Sequence, residues 1–448
     1  MLRKLNASCL LLLLFWVTLQ PAVAGGPLIT GSSKTGSEGK SVTWDLSAGP
    51  VQYRVDGGPL SQLSDGTPVI DNAAGVVRVQ NLFKPWQSVS TTTITYQNAG
   101  SILPVLPDFT DGDVSNLKEY NAVSGSCSKA VQSPIVFDAD GSIFAALGVD
   151  PSVIGFAGPC AISSSGHILS AQSMLNGKMQ DGVNANNSSN YEITANEFDA
   201  AMIHEFGHFS GLDHSQINLQ CLTDLIDSNG TSPCSPQEIQ GLPTMFPVLL
   251  SSEQKTLAAD DIAWISTLYP NATYASNYGK ISGTVYFSGG TSPVIGVNVI
   301  ARSVGNPSVI AFSAVSGLYF TDNIGQPYTG DNTNGSPFGS RKFAHLGYFE
   351  IPVQPGNYTV EVEAIYAGFG GGSSVGPLGF PLPLPGMTNI SSPISVSAGA
   401  IVQQDIVMQN TPPLYDSFEG MAVYPNLHPD NAPFLRRKLV MLDIEVVA

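Results

Sequence analysis

The sequence predicts an α+β protein, with a mixed twisted sheet and helices over residues 41–270 and an all-β sandwich over residues 280–410. Three observations carry this expectation. Residues 51–138 run strand, helix, strand, the order of a crossover unit with a partly parallel sheet. A helix with a complete start signal opens at Ala195. From Lys280 onward, short alternating segments are separated by Gly, Pro and Asn turns, the pattern of a sandwich.

The elements follow in order. Val51, Tyr53 and Val55 alternate with Gln52 and Arg54, a strand with one buried face that ends at Asp56-Gly57-Gly58. Val79, Leu82, Phe83, Trp86 and Val89 recur at helical spacing, with Pro85 kinking or shortening that helix. Thr93-Ile94-Thr95-Tyr96, Pro134 to Asp138 and Gly166 to Asn176 are expected as further strands. Thr194-Ala195-Asn196-Glu197 fits a capping box, and Ile193 and Phe198 fit the hydrophobic staple around it. The helix should therefore begin near Ala195, run through His208 and stop near Gly211. Residues 271–279 are polar and small and are expected as a linker between independent domains with a small, mobile interface. In the second domain Tyr358 to Ala364 is the clearest strand, preceded by the turn Pro355-Gly356-Asn357. Gly325 to Ser340 is expected as a long loop.

Composition bounds the function. The 448 residues carry a net charge of −17 and only 12 % charged side chains, which excludes a nucleic-acid binder reliant on a basic face. With 46 Gly, 32 Pro and 43 % hydrophobic residues, the chain is turn-rich but not disordered. Residues 1–24 have the form of a signal peptide: Arg3 and Lys4, an apolar run from Leu10 to Leu19, and Ala22-Val23-Ala24 as the cleavage site. Residues 25–40 are expected as a short linker. No later stretch is apolar enough to span a bilayer, so a secreted monomer is expected. Beyond Cys9, four cysteines remain, Cys127, Cys160, Cys221 and Cys234. An even count in an exported chain favours two disulfides. Three connectivities are open, and the shortest loops pair Cys127 with Cys160 and Cys221 with Cys234.

The chemistry concentrates in His204-Glu205-Phe206-Gly207-His208-Phe209-Ser210-Gly211-Leu212-Asp213-His214. His204 and His208 lie one helical turn apart on one face, able to share one zinc ion. Gly211 can take φ > 0, ending the helix and turning the chain so that His214 reaches the same ion. Three protein ligands leave a fourth position open, the catalytic arrangement. Glu205 stands beside that position without ligating and is the expected general base for a zinc-bound water.

This motif resembles that of the metzincin zinc proteases, and His214-Ser215 resembles the matrixin branch. Pro243-Thr244-Met245-Phe246-Pro247 resembles the Met-turn beneath the zinc, and Asp260-Asp261-Ile262-Ala263 to Leu268-Tyr269 resembles the C-terminal matrixin helix. The resemblance implies a metzincin-like fold over residues 41–270 and a zinc endopeptidase acting on protein or peptide substrates. It departs from the family in three places. No cysteine-switch segment lies between Gly25 and Ser41, His167 is the one spare histidine of this domain, and Phe246 stands where some relatives carry tyrosine. Substrate preference is therefore not carried over. The competing expectation is a non-catalytic secreted binding or adhesion protein on an inherited zinc-protease scaffold.

Asp138-Ala139-Asp140-Gly141-Ser142 offers two carboxylates and a turn glycine, a candidate calcium loop through Asp138 and Asp140 that a polar turn explains equally well. His345 and His428 stand alone and read as surface or core residues. Ile281-Ser282-Gly283-Thr284-Val285, Gly296-Val297-Asn298-Val299 and Gly347-Tyr348-Phe349-Glu350-Ile351-Pro352 resemble carboxypeptidase-regulatory-like β-sandwiches, which imply a fold and say little of function. That domain is expected to be a spacer or stabilising module, so a fragment ending near Pro270 is expected to fold alone and keep activity. Residues 411–448 contain Arg436-Arg437-Lys438 and leave a final strand and a truncated further domain both open.

Overall fold

The computed structural model describes residues 25–31, 39–183, 191–221, 234–291, 293–294, 297–317, 321–323, 326–327, 347–364, 389–409 and 440–443. The signal peptide, His345, His428 and most of the loop expected near Gly325 lie outside the described residues. The first domain is α+β. Its strands are β1 (Thr43–Trp44), β2 (Val51–Val55), the hairpin β3 (Ser61–Gln62) and β4 (Pro68–Ile70), β5 (Tyr96–Ser101), β6 (Pro134–Asp138), β7 (Val153–Ile162) and β8 (His167–Asn176). Its helices are α1 (Asn72–Leu82), α2 (Lys84–Gln87), α3 (Leu117–Ser128), α4 (Ser142–Leu147), α5 (Ala195–Phe209), α6 (Pro236–Gln240), α7 (Ala259–Leu268) and α8 (Tyr274–Asn277).

The sheet runs β5-β2-β6-β8-β7, parallel throughout except for β7, which is antiparallel to β8. The strand–helix–strand reading of residues 51–138 is thus the crossover expected, with Val51, Tyr53 and Val55 buried. The strand expected at residues 93–96 starts only at Tyr96. The chain just before it is held elsewhere, since Thr93 N–H donates to Tyr269 O (2.8 Å) and Asn271 N–H donates to Thr91 O (3.1 Å). Neither β7 nor α3 was expected, because Gly155, Gly158 and Pro159 interrupt the strand pattern and small residues fill the helix. A last strand, β19 (Val440–Asp443), pairs in parallel with the outer edge of β7, so part of the C-terminal stretch is strand.

Helix α5 packs across β7 and β8. Its capping box is present in full: Thr194 N–H donates to Glu197 Oε2 (2.8 Å) and Glu197 N–H donates to Thr194 Oγ1 (3.3 Å). Ile193 and Phe198, the two staple residues, are both buried. The far end of the helix lies inside the protein, where its last carbonyls cannot reach water. Aromatic side chains serve this end: Trp44 Nε1 donates to Phe209 O (2.9 Å) and Tyr269 OH to Ser210 O (2.6 Å), while Trp86 Nε1 donates to Ile203 O (2.8 Å) further back in the helix. Phe83 stacks on Phe206 with ring centroids 3.9 Å apart, fixing α1 and α2 against the same helix. The disulfides are Cys127–Cys160, joining α3 to β7, and Cys221–Cys234, the two shortest loops.

Residues 25–31 are not a loose linker. Pro27, Leu28 and Ile29 are apolar enough to enter the core, and all seven residues are buried. Leu28 N–H donates to Gly211 O (2.8 Å) and Asp213 N–H donates to Gly26 O (3.0 Å), so this segment lies along the turn after α5.

The second domain consists of two facing sheets. One runs β11 (Ala311–Val315), β10 (Val297–Ser303), β15 (Gly356–Ala364), β16 (Asn389–Val396), all antiparallel. The other holds β14 (Tyr348–Val353), β9 (Gly279–Tyr286), β17 (Ile401–Gln403) and β18 (Ile406–Val407). A small pair, β12 (Thr321–Asn323) and β13 (Gln326–Pro327), stands apart. The small, mobile interface expected from the polar linker is not what forms. Trp264 and Tyr269 of the first domain, Tyr278 of the linker, and Ile281, Phe312 and Phe349 of the second belong to one continuous core.

Candidate metal centre

His204 and His208 project from the same face of α5, as residues one turn apart must. Gly211 has φ of +88°, a left-handed conformation open to glycine, and turns the chain back along residues 25–31. His214 then meets the helix pair. The three Nε2 atoms converge: 2.9 Å between His204 and His208, 3.2 Å between His204 and His214, and 3.3 Å between His208 and His214. Ligands bound tetrahedrally at about 2.0–2.1 Å stand about 3.3–3.4 Å apart, so this separation fits a single zinc-sized ion.

The ring orientations are fixed from behind. A carbonyl oxygen can only accept, so His204 Nδ1–H donates to Thr244 O (2.8 Å) and His208 Nδ1–H donates to Leu212 O (2.8 Å). That tautomer leaves each Nε2 lone pair aimed into the cluster, and such partners behind a ligating imidazole commonly fix its orientation. Burial holds His204 and His214 well below the ordinary histidine range, in the neutral form that ligates metals. Among the described residues this is the one group of three or more metal-capable side chains gathered together. The donor set fits zinc.

Around it, Glu205 is fully buried on α5 and packs beside Gly155 of β7, where a β-carbon would lie 3.4 Å from Glu205 Cγ. Met245 is buried, its sulfur against Gly207 of α5, one residue before His208. The turn carrying it is pinned by one carboxylate: Asp261 accepts from Thr244 N–H (2.7 Å), Met245 N–H (3.0 Å) and Ala258 N–H (2.7 Å). Burial pushes Asp261 up to about 6, against the pull of those three amides. Its neighbour Asp260 is pushed up to about 7 by burial and accepts from Ser313 N–H (2.8 Å) in the sandwich. The sequence contains Asp261 and Thr244, but nothing in their spacing indicates that they hold the turn at Met245 and the first histidine.

The other candidates are elsewhere. Asp138 accepts from Ile143 N–H (3.2 Å) and Phe144 N–H (2.7 Å), and Asp140 accepts from Ser142 N–H (3.0 Å). Both carboxylates therefore bond to the first turn of α4, far in sequence from the histidines. His167 lies in β8 with Nδ1 3.3 Å from Thr43 O.

No family model matches the chain, and no curated protein matches it. Among solved structures, similarity extends to a leucine-rich repeat protein from Bacteroides thetaiotaomicron VPI-5482, at 14 % identity and a TM-score of 0.17. That match covers 31 % of this chain and 13 % of the other. A second is the dioxygenase domain of a dioxygenase carbohydrate-binding protein fusion from Streptomyces sp. SirexAA-E, at 17 % identity and a TM-score of 0.14, covering 31 % of this chain and 83 % of that one. The chain thus spans about an eighth of the repeat protein's length. Neither likeness carries an argument about fold or function.

Proposed function

We propose that the protein is a secreted zinc-dependent endopeptidase of metzincin type. The observation that carries this reading is the convergence of His204, His208 and His214 through their Nε2 atoms with Glu205 on the same helix. The three imidazoles would hold zinc, which when bound lowers the pKa of water toward about 7 and polarises a peptide carbonyl. Glu205 would take the proton from the attacking water on its carboxylate and deliver it to the amine nitrogen as the peptide bond breaks. Thr244 O and Leu212 O, by accepting from the imidazole Nδ1 atoms, keep two ligands in the tautomer this requires. Met245 packs against the same helix at Gly207.

Two disulfides suit an oxidising, extracellular type of compartment. No helix among the described residues is long and apolar enough to cross a membrane. The test is cleavage of casein or gelatin by the purified protein, with and without a zinc chelator, alongside Glu205→Ala. The parent should cut, the chelated protein should not, and Glu205→Ala should keep zinc and lose hydrolysis. A zinc-loaded parent that cuts nothing would favour a binding protein built on the same scaffold.

A further inference from the structure

Two of the three histidines stand on a helix whose position is fixed by the sheet beneath it. His214 does not. It stands on an irregular stretch, so whatever holds that stretch sets the geometry of the third imidazole. Each of the four residues after it is held by the second domain. Ser215 Oγ lies 3.3 Å from Ser313 Oγ of β11, while its N–H donates to Met245 O (2.8 Å). Gln216 O accepts from Asn298 Nδ2 of β10 (3.4 Å). Ile217 is buried in a cluster of its own with Ile300 of β10 and Ala311 of β11. Asn218, at φ of +62°, accepts through Oδ1 from Arg302 Nη1 of β10 (2.8 Å) and donates through Nδ2 to Ser308 O (3.2 Å) and Glu238 O (2.9 Å).

The opposite side of the contact is equally fixed. Both peptide groups of Ser313 bond to α7: its N–H donates to Asp260 Oδ1 (2.8 Å) and its carbonyl accepts from Trp264 Nε1 (2.8 Å). The edge of β11 is thereby closed by side chains of the first domain, where another strand would otherwise pair. Arg302 is itself oriented by an ion pair with Glu361 on β15, so the guanidinium reaching Asn218 is anchored in the sheet.

We propose that the β-sandwich is a part of the metal centre, with β10 and β11 positioning His214 through residues 215–218, and with Ile217 and Arg302 as positioning residues for this third ligand. This rests on the zinc reading above but not on catalysis. A spacer domain would leave His214 indifferent to these contacts. A positioning domain makes the metal affinity depend on them, as partners behind a first ligand commonly change affinity 10–100-fold.

The experiment is zinc competition against a colorimetric chelator on the full chain, with cobalt spectra of the same proteins. Ile217→Ala combined with Arg302→Ala should weaken zinc about 10–100-fold and shift the visible cobalt bands as one nitrogen ligand loosens. Arg302→Lys, which keeps a donor toward Asn218, should recover most of the loss attributable to Arg302→Ala alone. Lys280→Ala breaks the Lys280–Glu350 pair on the other sheet of the same domain and should leave zinc binding and the cobalt spectrum unchanged. Circular dichroism confirms that each variant is folded. The proposal is overturned if the folded double variant binds zinc as the parent does, if Lys280→Ala weakens binding equally, or if the parent binds no zinc. A parent that binds zinc without cutting protein overturns only the protease reading, and leaves this one to the variants.

Discussion

The sulfur of Met245 occupies the space that a β-carbon on Gly207 would need, so the turn carrying Met245 and the helix α5 touch through a position that tolerates only hydrogen. Trp86 borders the same space. Gly207→Ala should therefore overpack the site, at a cost of about 1–3 kcal/mol, and push α5 away from Met245. Thermal unfolding and zinc stoichiometry check this. A variant as stable as the parent, with unchanged zinc content, would refute the contact as a constraint.

Asp261 and His204 are joined through the peptide of Thr244, which donates to the first and accepts from the second. Asp261→Asn exchanges one carboxylate oxygen for an amide that cannot accept, leaving buried N–H groups short of a partner. Stability should fall by about 1–3 kcal/mol, and zinc affinity should fall with it. Chemical denaturation and chelator competition measure the two effects, and a loss of stability alone would break the proposed link to His204.

The disulfides close loops of 33 and 13 residues. On the chain-entropy account each contributes about 3–4 kcal/mol. Replacing Cys127 and Cys160 together by alanine should lower the unfolding midpoint by more than replacing Cys221 and Cys234. The reverse order, read from urea titrations, would show that native-state packing around the second bridge outweighs loop length.

Asp56 gives a pH dependence with a definite sign. It is buried and pushed up to about 7, although three amides, those of Gly58, Val114 and Phe137, donate to it. An unfolded aspartate titrates near 3.9, so between about pH 4 and 7 the folded chain retains a proton that the unfolded chain has released. Its contribution is fully present below about pH 4 and is lost as pH rises through 7. The parent should lose about 1–3 kcal/mol more than Asp56→Asn between pH 5 and 8. Equal losses in the two proteins would show that Asp56 is ionised throughout. His204 and His214 run the other way, losing stability as pH falls below 6.5, and cancel in the comparison because both proteins contain them.

What the sequence made legible was what repeats or caps locally. The alternation of Val51, Tyr53 and Val55, the Thr194–Glu197 box and the spacing of His204, His208 and His214 each express a short-range geometric rule, and the structure obeys all three. What was not legible depended on distant partners. Leu28 and Ile29 read as linker because nothing near them shows that Gly211 and Val42 will accept or donate to their backbone. Asp260 reads as the polar start of a helix, yet its partner is Ser313, 53 residues away. Ile217 likewise has no pattern of its own, and among the described residues it is buried with Ile300 of β10 and Ala311 of β11.

The contact between Ser313 and α7 also sets an order of events. A chain emerging in sequence presents the histidines of α5 about 100 residues before β11 exists to hold the segment behind His214. At ordinary synthesis rates of roughly 5–20 residues per second, that interval lasts on the order of 10 seconds. During it α5 can form, while residues 215–218 still lack the partners that β10 and β11 supply. The contacts that hold residues 215–218 against the sandwich are thus closed only once β10 and β11 have been made, well after α5 itself.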